Sequence, residues 1–343
     1  MQEEADEDVW TSDESIAVRT TTARPPFENI CIDYFGPYLI RGEVQKRIRG
    51  KCWGVILTCI AVRAVYIDVA VDCSTDAFLQ LLRRFASFRG WPRKVFSDPA
   101  TNLVGASNEL KEQIKGLDWK RIEEFGHQEG FQWKFSPADA PWYNGTAEAL
   151  VKSTKRALDA AVGVSVLSFS ELQTCMMEAA QLVNQRPIGA LPSTPDDGTY
   201  LCPNDLILGR SSSKVPQGPF LERASRKYRL DFIQALVSAF WKRWTHEVFP
   251  SLVLRPKWHT EERNLQAGDV VLVKDSNSLR GKWKMARVKL AHISEDQRVR
   301  RVRITYHTEN GTKEDVERPV QNLLLLAPAD DTSAEAECCV NDA

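Results

Sequence analysis

FENICIDYFGPY, residues 27–38, puts an aspartate inside an apolar strand. Ile30, Ile32 and Phe35 give the strand its pattern, and Asp33 stands among them. Arg24-Pro25-Pro26 ahead of it reads as extended chain at the end of a linker. Two further apolar runs, 52–62 and 64–71, are separated by Arg63, which predicts a meander of three adjacent antiparallel strands. Ser74, Thr75 and Asp76 then supply a helix N-cap. Phe78, Leu81, Leu82, Phe85 and Phe88 follow helical spacing as far as the stop at Gly90-Trp91-Pro92.

Downstream, the pattern predicts a short strand at 94–97, a helix at 106–115, a strand at 131–135, a loop at 137–144, and helices at 146–161 and 170–184. That order describes an α+β or mixed α/β domain. Residues 187–227, rich in Pro, Ser and Gly, read as a connector with little regular structure. A helix at 228–247 follows, its Ile233, Leu236, Val237, Phe240, Trp241 and Trp244 forming a packing stripe. Short strands at 268–274, 285–293, 298–307 and 320–326 suggest a small β-barrel. The divisions expected are an acidic tail at 1–24, a core at 25–190, a linker at 191–227, a helix plus barrel at 228–327, and a second acidic tail at 328–343.

With 343 residues, 43% hydrophobic and 27% charged, the chain has the composition of a soluble globular protein of two domains. The longest apolar run, 55–62, is far short of the roughly 20 residues that span a bilayer, so no membrane partner is expected. Seven acids and one arginine over 1–20 are the reverse of a secretory signal, and export is not expected. These acids and the five over 328–343 leave a net charge of +10 on 21–327, hidden in a formal total of −1. A basic body fits a polyanionic partner, although a solvated surface would also account for it. Eight cysteines without a Cys-x-x-Cys pair, and five histidines without a His-x-x-x-His pair, offer no zinc ligand set and no disulfide framework.

Three carboxylates stand out by position. Asp33 lies inside the first strand, Asp98 at the end of the strand at 94–97, and Glu148 early in the helix that follows a turn-rich loop. Ionised carboxylates brought close together repel unless cations lie between them, and two Mg²⁺ ions held by about three carboxylates answer that need. Taken singly, Asp33 also reads as an edge-strand residue facing water. Asp98 reads as a turn former before Pro99, and Glu148 as an acid favoured by the helix dipole.

The chain resembles the retroviral-type integrases, and most closely the integrase segment of BEL/Pao long-terminal-repeat retrotransposons. The motifs that carry the resemblance are IDYFGP at 32–37, FSDPATNLVGA at 96–106, APWYNGTAE at 140–148, VNQRP at 183–187, PNDLILGR at 203–210 and NLQAGDVV at 264–271. The resemblance implies an α/β fold, with a ribonuclease-H-like mixed five-stranded sheet and flanking helices, followed by a small SH3-like β-barrel. It also implies that Asp33, Asp98 and Glu148 form a catalytic triad holding two Mg²⁺ or Mn²⁺ ions, which cut and join double-stranded DNA by in-line displacement. A homo-multimer and a nuclear location go with that substrate.

Lys152 and Lys155 share a helix face with Glu148; by resemblance they contact DNA phosphate, with Arg156 beside them, where a surface Glu-to-Lys pair is the plainer alternative. Tyr143 and Asn144 fall where the family's mobile active-site loop meets DNA. In the barrel, Lys282, Trp283, Lys284, Arg287, Arg300, Arg301 and Arg303 are the expected backbone-gripping set, within a 251–320 stretch of 15 bases and 10 acids. Trp91, Trp119, Trp133 and Trp142 read as packing residues.

The chain departs from the pattern in two places. Pro99-Ala100 stands where many relatives have Asn-Gly. Only 24 acid-rich residues precede the core, where relatives carry a His/Cys zinc domain, so a piece of a longer polyprotein or a host-retained copy is expected. The rival readings are an integrase-derived DNA-binding protein without catalysis, and a hydrolase of RNA·DNA hybrids.

Overall fold

The computed structural model describes residues 25–45, 47, 49–97, 108–135, 145–190, 200–209, 229–252, 263–275, 280–307 and 312–329. The expected meander is β1 (Asn29–Arg41), β2 (Arg49–Cys59) and β3 (Val65–Ala70), antiparallel throughout. Residues 52–59 of β2 are all buried, which is the signature of a strand covered on both faces. Helix α1 (Thr75–Arg89) starts where Ser74 Oγ accepts the Ala77 N–H at 3.2 Å, and it leads into β4 (Lys94–Ser97), parallel to β1. After α2 (Asn108–Lys115) and α3 (Trp119–Glu129), β5 (Gln132–Phe135) lies parallel to β4. The sheet order is β3-β2-β1-β4-β5, with the short β6 (Leu167–Ser168) beside the far end of β1.

Alternation along β1 divides the core into two layers. Ile30, Ile32 and Tyr34 pack with Phe78, Phe85, Ile114, Ile122 and Phe131 of the α1–α3 side. On the other face Phe35, Ile56, Ile67 and Val69 meet α4 (Gly145–Val162) and α5 (Phe169–Asn184). The stripe of α7 (Arg229–Leu252) joins that second layer, burying Val237, Phe240, Trp241 and Trp244 with Leu158, Cys175 and Val183. The helix expected to accompany the barrel thus packs on the mixed-sheet core.

One of the quoted motifs, VNQRP at 183–187, proves to be a structural joint. Asn184 Oδ1 accepts the Val65 N–H at 2.8 Å and its Nδ2 donates to the Val65 carbonyl at 2.7 Å, so a side chain completes the edge of β3. Arg186 reaches the carbonyls of Val183 and Arg63, pinning the β2–β3 turn, where Arg63 has φ 53°. The connector also departs from expectation. Within 187–227 the described residues include the pair β7 (Gly189–Ala190) and β8 (Tyr200–Leu201), then α6 (Pro203–Leu208), whose Leu206 and Ile207 pack on the first layer.

A second, antiparallel sheet has the order β12-β11-β10-β9-β13, made of β9 (Val270–Val273), β10 (Lys284–Ile293), β11 (Val299–His307), β12 (Lys313–Pro319) and β13 (Leu323–Ala327). Strand β12 was not foreseen, because KEDVERP has one half-buried apolar side chain, Val316. Such a charged sequence suits an edge strand. This sheet is joined to the core through Trp283, whose ring meets Trp241 edge-on at 5.4 Å and Trp244 at 6.0 Å. Beside it Arg280, 2% exposed, donates to Gln234 Oε1 of α7 at 2.7 Å.

Candidate metal and nucleic-acid site

Asp33 follows the last described pair between β1 and β4. Ser97 of β4 pairs in parallel with Ile32, the residue before Asp33. The Asp33 side chain faces α4, where its Oδ2 accepts the Lys155 ammonium. Lys155 also donates to the Tyr34 carbonyl at 3.0 Å and lies 5.9 Å from the centroid of the Phe35 ring. That ring is seated on Gly54, where a Cβ would come within 2.3 Å of it, so no larger residue fits opposite Phe35. Oδ1 of Asp33 is buried and has no hydrogen-bond partner among the described residues.

One turn further along α4, Tyr38 donates to Asp159 Oδ1 at 2.6 Å, a second tie between β1 and the helix that sequence patterning did not single out. Burial, and then the Asp159 charge, hold the Tyr38 phenol well above its ordinary pKa, so it stays a donor. The two ties fix the register of α4 against Asp33. Glu148 lies in α4, seven residues before Lys155; its side chain, like Asp98, Tyr143 and Asn144, lies outside the described residues. Lys152 and Arg156 are exposed on α4. Among the described residues no three His, Cys, Asp or Glu side chains converge as a metal-ligand group. Hard oxygen donors are nonetheless what Mg²⁺ or Mn²⁺ takes, and the orphaned Oδ1 of Asp33 is such a donor.

The residues expected to grip DNA backbone are placed differently from one another in and beside the second sheet. Trp283 is a packing residue at the joint with α7, because its ring is engaged by Trp241 and Trp244 instead of facing outward to stack on bases. Lys284 lies 3.6 Å above the Tyr306 ring and 3.8 Å from Asp275. Arg287 donates to the Gly268 carbonyl at 3.1 Å, and Lys282 is exposed. A register shift between β10 and β11 skips residue 300, so Arg300 and Arg301 are both exposed despite being adjacent. Arg300 is held by Asp296 at 2.5 and 2.9 Å, and Arg303 and Arg301 share Glu317 of β12 at 3.2 and 3.7 Å. The edge strand therefore sets acids among the bases that the sequence presents as one cationic patch.

Asp68 of β3 is a second carboxylate in an apolar strand that sequence reading passed over. It is fully buried and accepts from Arg84 Nε, Gln173 Nε2 and the Val69 N–H, each at 2.7 Å. It is a paired structural charge.

Residues 228–326, which span α7 to β13, match a family described as "Family of unknown function (DUF5641)". No curated protein matches. Among solved structures, the chain is similar to one of a simian T-cell lymphotropic virus intasome in complex with PP2A regulatory subunit B56 gamma, at 9% identity. That match covers 88% of this chain and 80% of the other, with a TM-score of 0.33, a likeness too slight to carry an argument.

Proposed function

We propose that this chain is a metal-dependent DNA strand transferase of the integrase type, with a ribonuclease-H-like core, an SH3-like barrel and the motif set of the BEL/Pao elements. The observation that carries the reading is Asp33, which has one buried oxygen without a hydrogen-bond partner among the described residues and stands one residue beyond the Ile32–Ser97 pair that joins β1 to β4. Asp98 follows Ser97 by one residue, about 3.8 Å of chain. Glu148 precedes Lys155 by two turns, about 10 Å along the helix face that Lys155 turns toward Asp33. Asp33, Asp98 and Glu148 are the residues that would hold two Mg²⁺ or Mn²⁺ ions. Such ions supply the Lewis acidity that activates a water or a DNA 3′-hydroxyl and steadies the leaving oxygen.

In this reading the chain's own residues orient the DNA. Lys152 and Arg156, both exposed on α4, meet phosphates next to the reacting one; Tyr143 and Asn144, just before α4 in sequence, are proposed as further DNA contacts. Lys282, Arg300 and Arg301 contribute backbone contacts from the barrel, weakened by the acids of Asp296 and β12. Assembly as a homo-multimer on DNA and action in the nucleus belong to the same proposal.

The test is nicking and strand transfer on labelled duplex DNA with Mg²⁺ or Mn²⁺, comparing the native chain with Asp98→Asn and Glu148→Gln, each checked for an unchanged melting temperature. A loss of at least about 10³-fold in both variants is expected. A native chain that binds duplex without cutting it would replace this reading with that of a non-catalytic DNA-binding protein. Preference for RNA·DNA hybrids would point to a hybrid hydrolase.

A further inference from the structure

The Lys155 ammonium has three partners: the Asp33 carboxylate, the Tyr34 carbonyl and the Phe35 ring face. Together they make a cation site, filled by a cation tethered to α4. The pair is partly withdrawn from water, with side-chain exposures of 20% for Lys155 and 27% for Asp33. Only one oxygen of Asp33 is used in this way. The other, Oδ1, is buried and has no hydrogen-bond partner among the described residues.

We propose that Lys155 is a stand-in cation that links metal loading to substrate capture. In the free chain its ammonium neutralises Asp33, and it turns outward to a DNA phosphate when a divalent cation takes its place. The proposal rests on the two-metal reading of Asp33. Its physical basis is that an ammonium and a divalent cation on the same carboxylate repel at short range, so the two states exclude one another. The exchange is a side-chain rotation and not a helix movement. Helix α4 is fixed by the Tyr38–Asp159 bond and by burial of Ala157, Leu158 and Val162. Linkage then works in both directions: a phosphate that draws Lys155 away strengthens metal binding by the factor with which metal strengthens phosphate binding.

The experiment is Mn²⁺ titration of the full chain followed by electron paramagnetic resonance of the free ion, first without DNA. Lys155→Gln is expected to bind Mn²⁺ roughly tenfold more tightly than the native chain. Lys242→Gln removes the same charge from an exposed position of α7 and is expected to change the affinity by less than about twofold. Adding a short duplex, with its own Mn²⁺ binding subtracted, should tighten the native chain and leave Lys155→Gln unchanged. Lys155→Met, which keeps the aliphatic stem, carries the comparison if the Gln variant melts early.

Equal gains in the Lys155 and Lys242 variants, or none in either Lys155 variant, would overturn the proposal while leaving a metal site at Asp33 in place. If no variant binds Mn²⁺ and Asp33→Asn makes no difference, the two-metal reading fails and the proposal falls with it.

Discussion

Asp33 and Asp68 look alike in sequence, each a carboxylate among apolar strand residues, and differ in what the fold brings to them. Asp68 receives Arg84 from 16 residues away and Gln173 from 105 residues away, and is satisfied. Asp33 receives Lys155 from 122 residues away on one oxygen, and the other has no partner among the described residues. The sequence marks Asp33 through its motif, but nothing local shows which of the two aspartates is spent on structure. The same holds for Asn184, whose motif suggests function while its amide completes the edge of β3. Asn184→Leu leaves the buried N–H and carbonyl of Val65 without those partners, and is expected to destabilise the chain by about 2–4 kcal/mol in urea unfolding. A loss below about 0.5 kcal/mol would mean that water replaces the amide.

Elements with a clean apolar period were legible, and those whose pattern is interrupted were not. The stripe and caps of α1 are plain in the sequence. Helix α3 was missed because Gly126 sits inside it, yet that glycine is required: a Cβ there would lie 2.9 Å from the Phe131 carbonyl oxygen, where the chain turns back into β5. Asp118, whose side chain accepts the Arg121 N–H, was the available start signal. Strand β12 was missed because an edge strand of charges has no apolar alternation.

At this scale Glu171 of α5 joins three elements. It caps its own helix at Ser168 and binds Arg41 of β1 and Arg229 of α7. The Arg229 hydrogen bonds, foremost among several contacts, hold its carboxyl down at about 2, from an ordinary value of 4.5. A depressed carboxyl stabilises the fold above its unfolded pKa and loses that contribution as the pH falls through the folded value. Stability should therefore drop by about 1–2 kcal/mol between pH 5 and pH 2, after discounting for the partly exposed Arg229. Glu171→Gln should flatten the profile over that window, as read by denaturant titration at each pH. An unchanged profile would remove Glu171 as the source.

At the scale of the molecule, the sequence shows that α7 is amphipathic but not what its stripe covers. Packed on α4 and α5, and tied to the second sheet by Trp283 and Arg280, α7 stands between the helix that carries Lys155 and that sheet. The basic excess over 251–320 was legible as a count. Its pairing with Glu317 and Asp315 of β12 was not, because cross-strand pairs depend on register. Under the proposed function, DNA binding is expected to centre on the α4 side of the core, with the second sheet as a weaker, salt-sensitive rim.

The proposed function requires Asp33, Asp98 and Glu148 to converge on one cation site. An anomalous-scattering map from crystals of this chain soaked in Mn²⁺ tests that convergence. A peak is expected about 2.1 Å from an oxygen of Asp33, shared with Asp98 or Glu148. Mn²⁺ bound elsewhere, with Lys155 still on Asp33 at saturating metal, would contradict it.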